Sequence, residues 1–372
     1  MFFTRILSNG LCSLMLLIMC GLPGCSALGP RSVIVDRGSY IDAVAQSGKE
    51  QVLNNLLRYR YGDVTAFVDL EQIVSGYSYG GTLGVNMLPD QFADTAEIGG
   101  TLKYEGRPTL TYLPLNGRGF YKNIMTPVPP EAVFAVLRAG WPVDLVLGTT
   151  VQKINHLSNA IGVGRHRKPP DAQFWEVVEL IEKLYNEGVL DFRIDIIPQS
   201  QPYADQQQPA NDPDTPRTLL WLEDSTASQI SRREIAALKS LMGLDPQLSE
   251  FEMRYARVSE RPNQIVIATR SIMTILASFA AKIKIPEAHI ADGRAPDSIL
   301  SAGNPHGLAL NIKWGKAAPD DVYVKTRYQG LWYWIDNTDY PTKRTFSFLN
   351  LLFSLSDRSE TTRPPLVTIQ AN

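Results

Sequence analysis

Cysteine and histidine are scarce in this chain of 372 residues, which contains three cysteines and four histidines. The histidines stand at positions 156, 166, 289 and 306 without the spacing of a zinc site, so the sequence predicts neither a metal nor a cofactor. So few histidines leave little for acid–base catalysis near neutral pH. The motifs G-x-S-x-G, H-E-x-x-H and C-x-x-C are missing from the sequence. These gaps argue against an enzyme and rank a hydrolase third among the functional classes.

The chain also lacks an excess of one charge and a long apolar segment after its first 25 residues. Lysine and arginine number 36 against 38 acidic residues, and the two signs are mixed along the chain. Nothing therefore indicates binding to nucleic acid or to an anionic membrane surface. No later apolar stretch reaches the roughly 18 residues that a membrane helix needs, so no second membrane segment is predicted.

The first 25 residues have the organisation of a bacterial signal sequence. Arg5 supplies a positive charge, and the apolar run from Leu11 to Leu22 fits a signal-peptide core better than a membrane span. The tetrapeptide Leu22-Pro23-Gly24-Cys25 resembles the lipobox of bacterial lipoproteins, with Pro23 as a departure from the usual pattern. This resemblance implies cleavage between Gly24 and Cys25 and a diacylglyceryl group on the Cys25 thiol. An uncleaved anchor and an ordinary secretory signal are the weaker alternatives.

Processing at Cys25 defines where the mature chain is expected. Cys12 and Cys20 lie in the removed segment 1–24, so the one remaining cysteine carries lipid and no disulfide forms within the chain. The residue after the lipidated cysteine is Ser26 and not the aspartate that is associated with retention in the inner membrane of enteric bacteria. These features predict an outer-membrane lipoprotein that faces the periplasm, held by a lipidated tether over residues 25–38.

The hydrophobic periodicity downstream predicts an α+β body over residues 39–358, in one domain or two lobes, with mixed or antiparallel sheets and packed helices. Helices are predicted from Ser39 to Gly62 and from Asp144 to Leu157. A strand from Thr101 to Leu115 is predicted to turn at Glu105-Gly106. Residues 199–216 are rich in Gln, Pro and Asp, which predicts a disordered loop; the strands on either side favour a hairpin tip over a lobe boundary. The segment 359–372 is predicted to be a loose tail.

Basic, acidic and aromatic residues are dense at the end of the first predicted helix. Arg58, Arg60 and Asp63 lie within six positions of one another, and Asp69 follows six positions later. Arginine forks suit carboxylates and phosphates, so one interpretation is an anion or partner site. The second interpretation is a helix end whose arginines pair with Asp63 and Asp69 and stack on neighbouring tyrosines. The second is favoured.

A second dense stretch lies near the carboxyl end of the chain. In a strand, Trp332 and Trp334 share one face while Tyr333 takes the other, so one row forms core and the other is available as an aromatic platform. Two-residue turn chemistry at Gln329-Gly330 predicts a hairpin. Lys343 and Arg344 fall in the first turn of the next predicted helix, where the helix dipole disfavours cations. They are therefore predicted to form an ion network with Asp336 and Asp339.

Four segments resemble those of a group of uncharacterised proteobacterial lipoproteins: LLRYRYGD, TYLPLNG…MTPVPPE, GWPVDLVL and YQGLWYWIDNTDYPTKRTF. The resemblance extends over most of the mature chain and implies an envelope location and a single α+β body, without an activity or catalytic residues. The expected function is a scaffold or accessory subunit of an envelope assembly, in contact with other envelope proteins. The alternative is a periplasmic binding protein that holds a small or polymeric envelope ligand on the aromatic platform.

Overall fold

The structure is a computed structural model that describes residues 28–74, 77–88, 95–106, 109–115, 117–160, 168–195, 217–223, 227–256, 261–297 and 308–356. The predicted signal peptide 1–24, the predicted lipidation site Cys25, the predicted loop 199–216 and the predicted tail 359–372 lie outside these residues. The chain divides into two compact units, Met1–Gln51 and Val52–Asn372. The α+β class is confirmed, with several sheets of mixed and antiparallel strands alongside the helices.

The described residues form nine helices and thirteen strands. The helices are α1 (Leu28–Tyr61), α2 (Arg118–Met125), α3 (Pro130–Arg138), α4 (Val143–Thr150), α5 (Ala172–Asn186), α6 (Gln229–Met242), α7 (Ile272–Ala280), α8 (Glu287–Ala291) and α9 (Tyr340–Ser356). The strands are β1 (Phe67–Val74), β2 (Tyr77–Leu88), β3 (Thr95–Gly106), β4 (Thr109–Leu115), β5 (Val151–Ile154), β6 (Leu157–Ser158), β7 (Leu190–Asp195), β8 (Arg217–Leu222), β9 (Glu250–Tyr255), β10 (Gln264–Thr269), β11 (Lys313–Gly315), β12 (Val322–Tyr328) and β13 (Leu331–Asp336). In the described part of the chain, no helix combines the length and the apolar character needed to cross a membrane.

The first unit is described from Leu28 and consists of the first part of helix α1. This helix begins well before Ser39, the predicted start, so from Leu28 onward it includes the residues of the predicted tether 25–38. From Arg31 to Tyr61 no proline interrupts the sequence, and each residue added to an existing helix contributes a hydrogen bond. Ile41 is 56% exposed, so the apolar spacing in this part of the helix does not mark core.

A six-stranded sheet in the order β6-β5-β10-β9-β8-β7 organises the second unit. Strands β9 and β10 run parallel, and the other neighbouring pairs in this sheet are antiparallel. The pairing of β7 with β8 confirms that the two strands flanking the predicted loop 199–216 belong to one hairpin. Helices α3, α5 and α6 contribute apolar residues to the core, and the rings of Phe134 and Phe192 stack with centroids 4.6 Å apart.

The predicted helix from Asp144 to Leu157 is wrong beyond Thr150. Helix α4 ends there because Val151 takes an extended conformation and begins β5. Asn155 adopts a positive φ of 48° in the turn that leads to β6, and its side chain accepts a hydrogen bond from the Val266 amide. Sheet pairing across the chain therefore overrides the helical spacing of the apolar residues in this segment.

A three-stranded antiparallel sheet in the order β11-β13-β12 lies next to the last helix. The predicted hairpin turn is confirmed, because Gln329 and Gly330 join β12 to β13 with φ values of 47° and 81°. Helix α9 buries Phe346, Phe348 and Leu349 in the core of this unit.

Strands β1 to β4 form two antiparallel ladders that we call the arm. Strand β1 pairs with β4, and β2 pairs with β3 over twelve residues on each strand. The predicted turn at Glu105-Gly106 is wrong, since both residues lie in β3 opposite Ser78 and Tyr77. Gly106, which suggested a turn, instead pairs with Tyr77 on the neighbouring strand.

Candidate functional site

The carboxyl end of α1 places two predicted site residues, Arg58 and Arg60, in different surroundings. Arg58 donates from Nε to Asn54 Oδ1 at 2.7 Å and from Nη1 to the Val64 carbonyl at 3.3 Å. The Arg60 side chain is buried, and its Nε donates to the Ile283 carbonyl at 3.0 Å. Burial lowers the pKa of Arg60 from its ordinary value because the charged form is removed from water. Within the described residues, Nη2 of Arg60 has no hydrogen-bond partner.

Tyr61, the next residue, joins the two sequence clusters that were predicted separately. Its hydroxyl lies 2.7 Å from the hydroxyl of Tyr333 on β13 and 2.7 Å from Nδ1 of His289 on α8. All three side chains are buried, and we call them the tyrosine–histidine cluster. Sequence alone does not identify His289, because no local spacing links a histidine in a short helix to Tyr61, which lies 228 positions upstream.

The partners of His289 indicate the direction of the hydrogen bonds in the cluster. Nη1 of Arg294 lies 3.3 Å from Nε2 of His289, and a guanidinium can only donate. With Nε2 as the acceptor, the ring hydrogen of His289 lies on Nδ1 and is donated to the Tyr61 hydroxyl. Either of the two tyrosine hydroxyls can donate to the other, so the three side chains form one connected hydrogen-bond network.

Burial raises the pKa of Tyr61 and of Tyr333 above the usual range for a phenol. Both hydroxyls therefore stay protonated at neutral pH and bind through hydrogen bonds rather than charge. The cluster connects the end of α1, strand β13 and helix α8. It therefore acts as a buried polar link between these three elements.

Two further predicted residues, Asp63 and Asp69, separate in the structure. The Asp63 carboxylate accepts a hydrogen bond from the Tyr328 hydroxyl. Burial, together with this bond to a carboxylate, raises the pKa of Tyr328 to about 12. Asp69 lies on β1 in register with Leu113 of the arm. The predicted pairing of the arginines with Asp63 and Asp69 is wrong, because among the described contacts both arginines donate to carbonyl or amide oxygens instead.

The sheet β11-β13-β12 presents the predicted aromatic face. Tyr333 is fully buried, whereas Trp332 and Trp334 on the opposite face are half-buried. We call this outer side the tryptophan face. Register places Arg327 beside Trp332, and Lys313 and Lys325 on either side of Trp334.

The tryptophan face combines flat rings with positive charge. Nζ of Lys325 lies 6.0 Å from the ring centroid of Trp332, within the range of a cation–π contact. Trp334 donates from Nε1 to Asp336 Oδ1 at 2.9 Å, and Lys313 forms an ion pair with the same carboxylate. The hydrogen bond from Lys313 lowers the pKa of Asp336. Such a surface can stack on a flat apolar group and attract an anion.

The predicted ion network of Lys343 and Arg344 with Asp336 and Asp339 is wrong. Asp339 instead caps α9, since its Oδ1 accepts from the Thr342 amide at 3.1 Å. Lys343 donates to the Asn337 carbonyl at 2.9 Å. An N-cap at Asp339 offsets the misplaced cations, because its carboxylate lies at the positive end of the helix dipole.

Arg344 belongs to another group of residues, at the contact of α9 with α4 and α5. Its Nη2 lies 3.8 Å from Oδ2 of Asp144. Burial, followed by the nearby charge of Asp144, raises the pKa of Glu182 on α5. Tertiary packing therefore supplies the partner of Arg344 from a position 200 residues upstream.

No family model, no curated protein and no solved structure matches this chain. The resemblance to uncharacterised lipoproteins stays a prediction. Within the described residues, no group of three or more His, Cys, Asp or Glu side chains is placed to hold a metal ion.

Proposed function

We propose that this chain is a lipid-anchored protein of the bacterial outer membrane, facing the periplasm, that acts as a scaffold or accessory subunit of an envelope assembly. The lipobox resemblance at Cys25 supports the anchor. The root of the arm supports the assembly role, and it is the single observation on which that role rests.

At the root of the arm, one side belongs to the core and the other faces solvent. Phe67 is buried, and its ring centroid lies 5.4 Å from that of Phe120 and 5.1 Å from that of Phe353. Tyr112 lies on the opposite side of β4 from Leu115, the residue paired with Phe67, and is 55% exposed. Val68 is paired with Pro114 on the same side of the ladder and is 39% exposed, so adjoining apolar side chains face away from the core there. Exposed apolar residues that adjoin one another are typical of a surface that another molecule covers.

The anchor is tested by the Cys25→Ser variant. A hydroxyl cannot replace the thiolate nucleophile, so we expect no lipid labelling and an unprocessed precursor. Labelling with palmitate at the wild-type level would contradict the assignment.

The assembly role is tested by charge placed on either side of the root of the arm. Tyr112→Glu puts a carboxylate on the solvent-facing side of the root, and Thr109→Glu puts one at an exposed position on the other side of the same strand. We expect envelope proteins to co-purify with the wild type and with Thr109→Glu from solubilised membranes, and to be lost from Tyr112→Glu. Equal recovery with all three proteins would reject the arm as the assembly surface.

The tryptophan face favours a second candidate function, the binding of an envelope ligand with a flat apolar face and negative charge. Trp332→Ala removes one ring of the tryptophan face. Trp314→Ala is the control: Trp314 is exposed and pairs with Tyr333, so it lies on the face of the sheet away from Trp332. Co-sedimentation with purified cell-wall polymer should weaken for Trp332→Ala and persist for Trp314→Ala. If neither change alters sedimentation, this second function is excluded for that polymer.

A further inference from the structure

The tryptophan face consists of two rows of side chains that run across the three strands of its sheet. The first row is Lys325, Trp334 and Lys313, and the second row is Arg327, Trp332 and Gly315. Positions two apart on a strand are separated by about 6.8 Å. Each row therefore sets one indole ring beside at least one cation, and the arrangement of ring and cation repeats along the sheet.

The ring of Trp334 is held at both ends. Its Nε1 donates to Asp336 Oδ1 at 2.9 Å. At the other end of the indole, a Cβ added to Gly315 would lie 3.3 Å from Cη2 and 3.5 Å from Cζ3, so the ring occupies the space beside the Gly315 backbone. A ring that is already held loses little conformational freedom when a ligand stacks on it, which favours binding.

The charges on the tryptophan face do not balance. Lys313 forms an ion pair with Asp336. Lys325 donates from Nζ to the Pro319 carbonyl at 3.2 Å, which leaves its charge without a counter-ion. Arg327 is exposed, and in the described part of the chain its guanidinium has neither an ion pair nor a hydrogen bond. Each row thus carries one positive charge that no carboxylate neutralises, and the complementary ligand is an anion.

The two cations without a carboxylate partner flank the ring of Trp332. Arg327 is its register partner on β12, and Nζ of Lys325 lies 6.0 Å from its ring centroid. A guanidinium matches a carboxylate with two parallel hydrogen bonds, whereas an ammonium attracts an anion as a point charge. Because neighbouring strands are about 4.8 Å apart, a carboxylate bound to Arg327 brings the body of its ligand over the Trp332 ring.

A sugar acid combines the two features that this face can recognise. The C–H groups on one side of its ring stack on the electron-rich face of an indole, and its carboxylate suits the guanidinium. A polymer of sugar acids presents both features in every unit, as the two rows of the face do. A fatty acyl chain would instead need a concave apolar site, and this face is one side of an open sheet.

Single-stranded nucleic acid also combines flat rings with negative charge, but it fits this chain less well. Its affinity depends on many contacts between cations and phosphates, and it usually follows a positively charged groove. The tryptophan face offers three cations, of which Lys313 is already paired with Asp336. The chain as a whole has a formal net charge of −2. A weakly charged, carboxylate-bearing polymer is therefore favoured.

We propose that the tryptophan face binds an acidic polysaccharide, a polymer whose sugar units carry carboxylates. Its sugar rings stack on Trp332 and Trp334, and Arg327 binds a carboxylate with its guanidinium. Lys325 adds attraction without a fixed geometry. The inference rests on the second proposed function, since it takes the same face as the ligand site, and it names the class of ligand.

Two sugar probes that differ only in charge test the ligand class. One is an oligomer of galacturonic acid with a fluorescent end label, and the other is the same oligomer after reduction of its carboxyl groups to alcohols. The full chain in detergent is titrated against each probe, and binding is measured by fluorescence anisotropy. We expect the acidic probe to bind about tenfold or more tightly than the neutral one, because a charge-assisted hydrogen bond contributes that much. High salt should reduce this difference.

Three variants assign the binding to the tryptophan face. Arg327→Gln should weaken the acidic probe about tenfold and leave the neutral probe unchanged, at the wild-type melting temperature. Arg233→Gln, which removes an exposed arginine on α6, is the matched control and should bind as the wild type does. Asp336→Asn keeps an oxygen acceptor for Trp334 and releases Lys313 from its ion pair, so it should tighten binding of the acidic probe.

The inference is overturned if the acidic probe does not bind, if both probes bind equally, or if Arg327→Gln binds as the wild type does. Binding of single-stranded oligothymidylate as tight as that of the acidic probe, and weakened by Arg327→Gln, would assign the face to nucleic acid instead. If the acidic probe fails while cell-wall polymer still separates Trp332→Ala from Trp314→Ala, the second proposed function stands and only the ligand class is rejected.

Discussion

The hydroxyl oxygens of Tyr61 and Tyr333 lie 2.7 Å apart, although 272 positions separate the two residues. This hydrogen bond fastens the last residue of α1 to the central strand of the three-stranded sheet. Because both rings are buried, neither hydroxyl can exchange its partner for water. The bond is therefore a point where sequence-distant elements depend on each other.

Removing either hydroxyl should destabilise the fold by different amounts. Tyr333→Phe removes a buried hydrogen-bond partner of the Tyr61 hydroxyl, which should lower the free energy of unfolding by about 1–3 kcal/mol. Tyr61→Phe leaves both Tyr333 and His289 without their hydrogen bond to Tyr61, so we expect a larger loss in the free energy of unfolding. Denaturant unfolding measures both, with the exposed Tyr112→Phe as control. Wild-type stability in both variants would show that the cluster contributes nothing.

The raised tyrosine pKa values predict a loss of stability at high pH. The pKa of Tyr328 is about 12 in the folded chain against an ordinary value of 10.0. Between these values the folded state binds more protons than the unfolded state, so the free energy of unfolding falls as pH rises. The contribution is complete below pH 10.0 and is lost through about pH 12. Tyr61 and Tyr333 act in the same direction.

Unfolding measured across this range tests the assignment. Tyr328→Phe should flatten part of the decline, because that phenol no longer titrates. Asp63→Asn removes the carboxylate that accepts from Tyr328, so the folded-state pKa of Tyr328 should move toward its ordinary value, and the decline should be smaller and end at lower pH. A Tyr328→Phe protein with the wild-type pH profile would contradict the role of this pair.

The N-cap of α9 gives a third prediction. Asp339 accepts from the Thr342 amide and from the Thr342 hydroxyl, so Asp339→Ala leaves the first turn without its cap. We expect the free energy of unfolding to fall by about 1 kcal/mol. Asp320→Ala, a change at an exposed aspartate, is the matched control. Loss of the same size in both would point to overall charge rather than to capping.

Local signals predicted the elements whose ends carry their own chemistry. Ser228 caps α6 through a hydrogen bond from the Ser231 amide, and Gly243 ends the helix at a positive φ of 67°, so residue type alone marks both limits. Gln329 and Gly330 likewise determine their turn without help from distant residues. The six-stranded order was beyond such signals, because strands β5 and β10 meet across more than 100 residues.

In the candidate site, too, local features could be predicted from the sequence, whereas contacts with distant residues could not. Alternation in a strand was enough to separate the buried Tyr333 from the half-buried Trp332 and Trp334. The partners of Arg60 and Arg344 were not predictable, since closeness in sequence to an aspartate does not determine ion pairing. In the fold, Arg60 donates to the Ile283 carbonyl, and Arg344 pairs with Asp144.

The packing around Gly148 reverses the stability change that is usual when a helical glycine is replaced by alanine. Replacing glycine by alanine within a helix normally stabilises it by about 0.5–1 kcal/mol. At Gly148 in α4, however, an added Cβ would lie 2.6 Å from Cη2 of Trp175, a ring held in the core. Gly148→Ala should therefore lower the melting temperature, through overpacking that typically costs about 1–3 kcal/mol.

Gly119 in α2 is the matched control for Gly148, since an added Cβ there meets nothing within 4 Å. Gly119→Ala should leave the melting temperature unchanged or raise it slightly, because only the backbone entropy term applies. The pair isolates the Trp175 contact, as both changes add one methyl group to a helix. A rise in melting temperature for both variants would mean that the Trp175 ring gives way without loss, and that the core around it is less tightly packed than the distances imply.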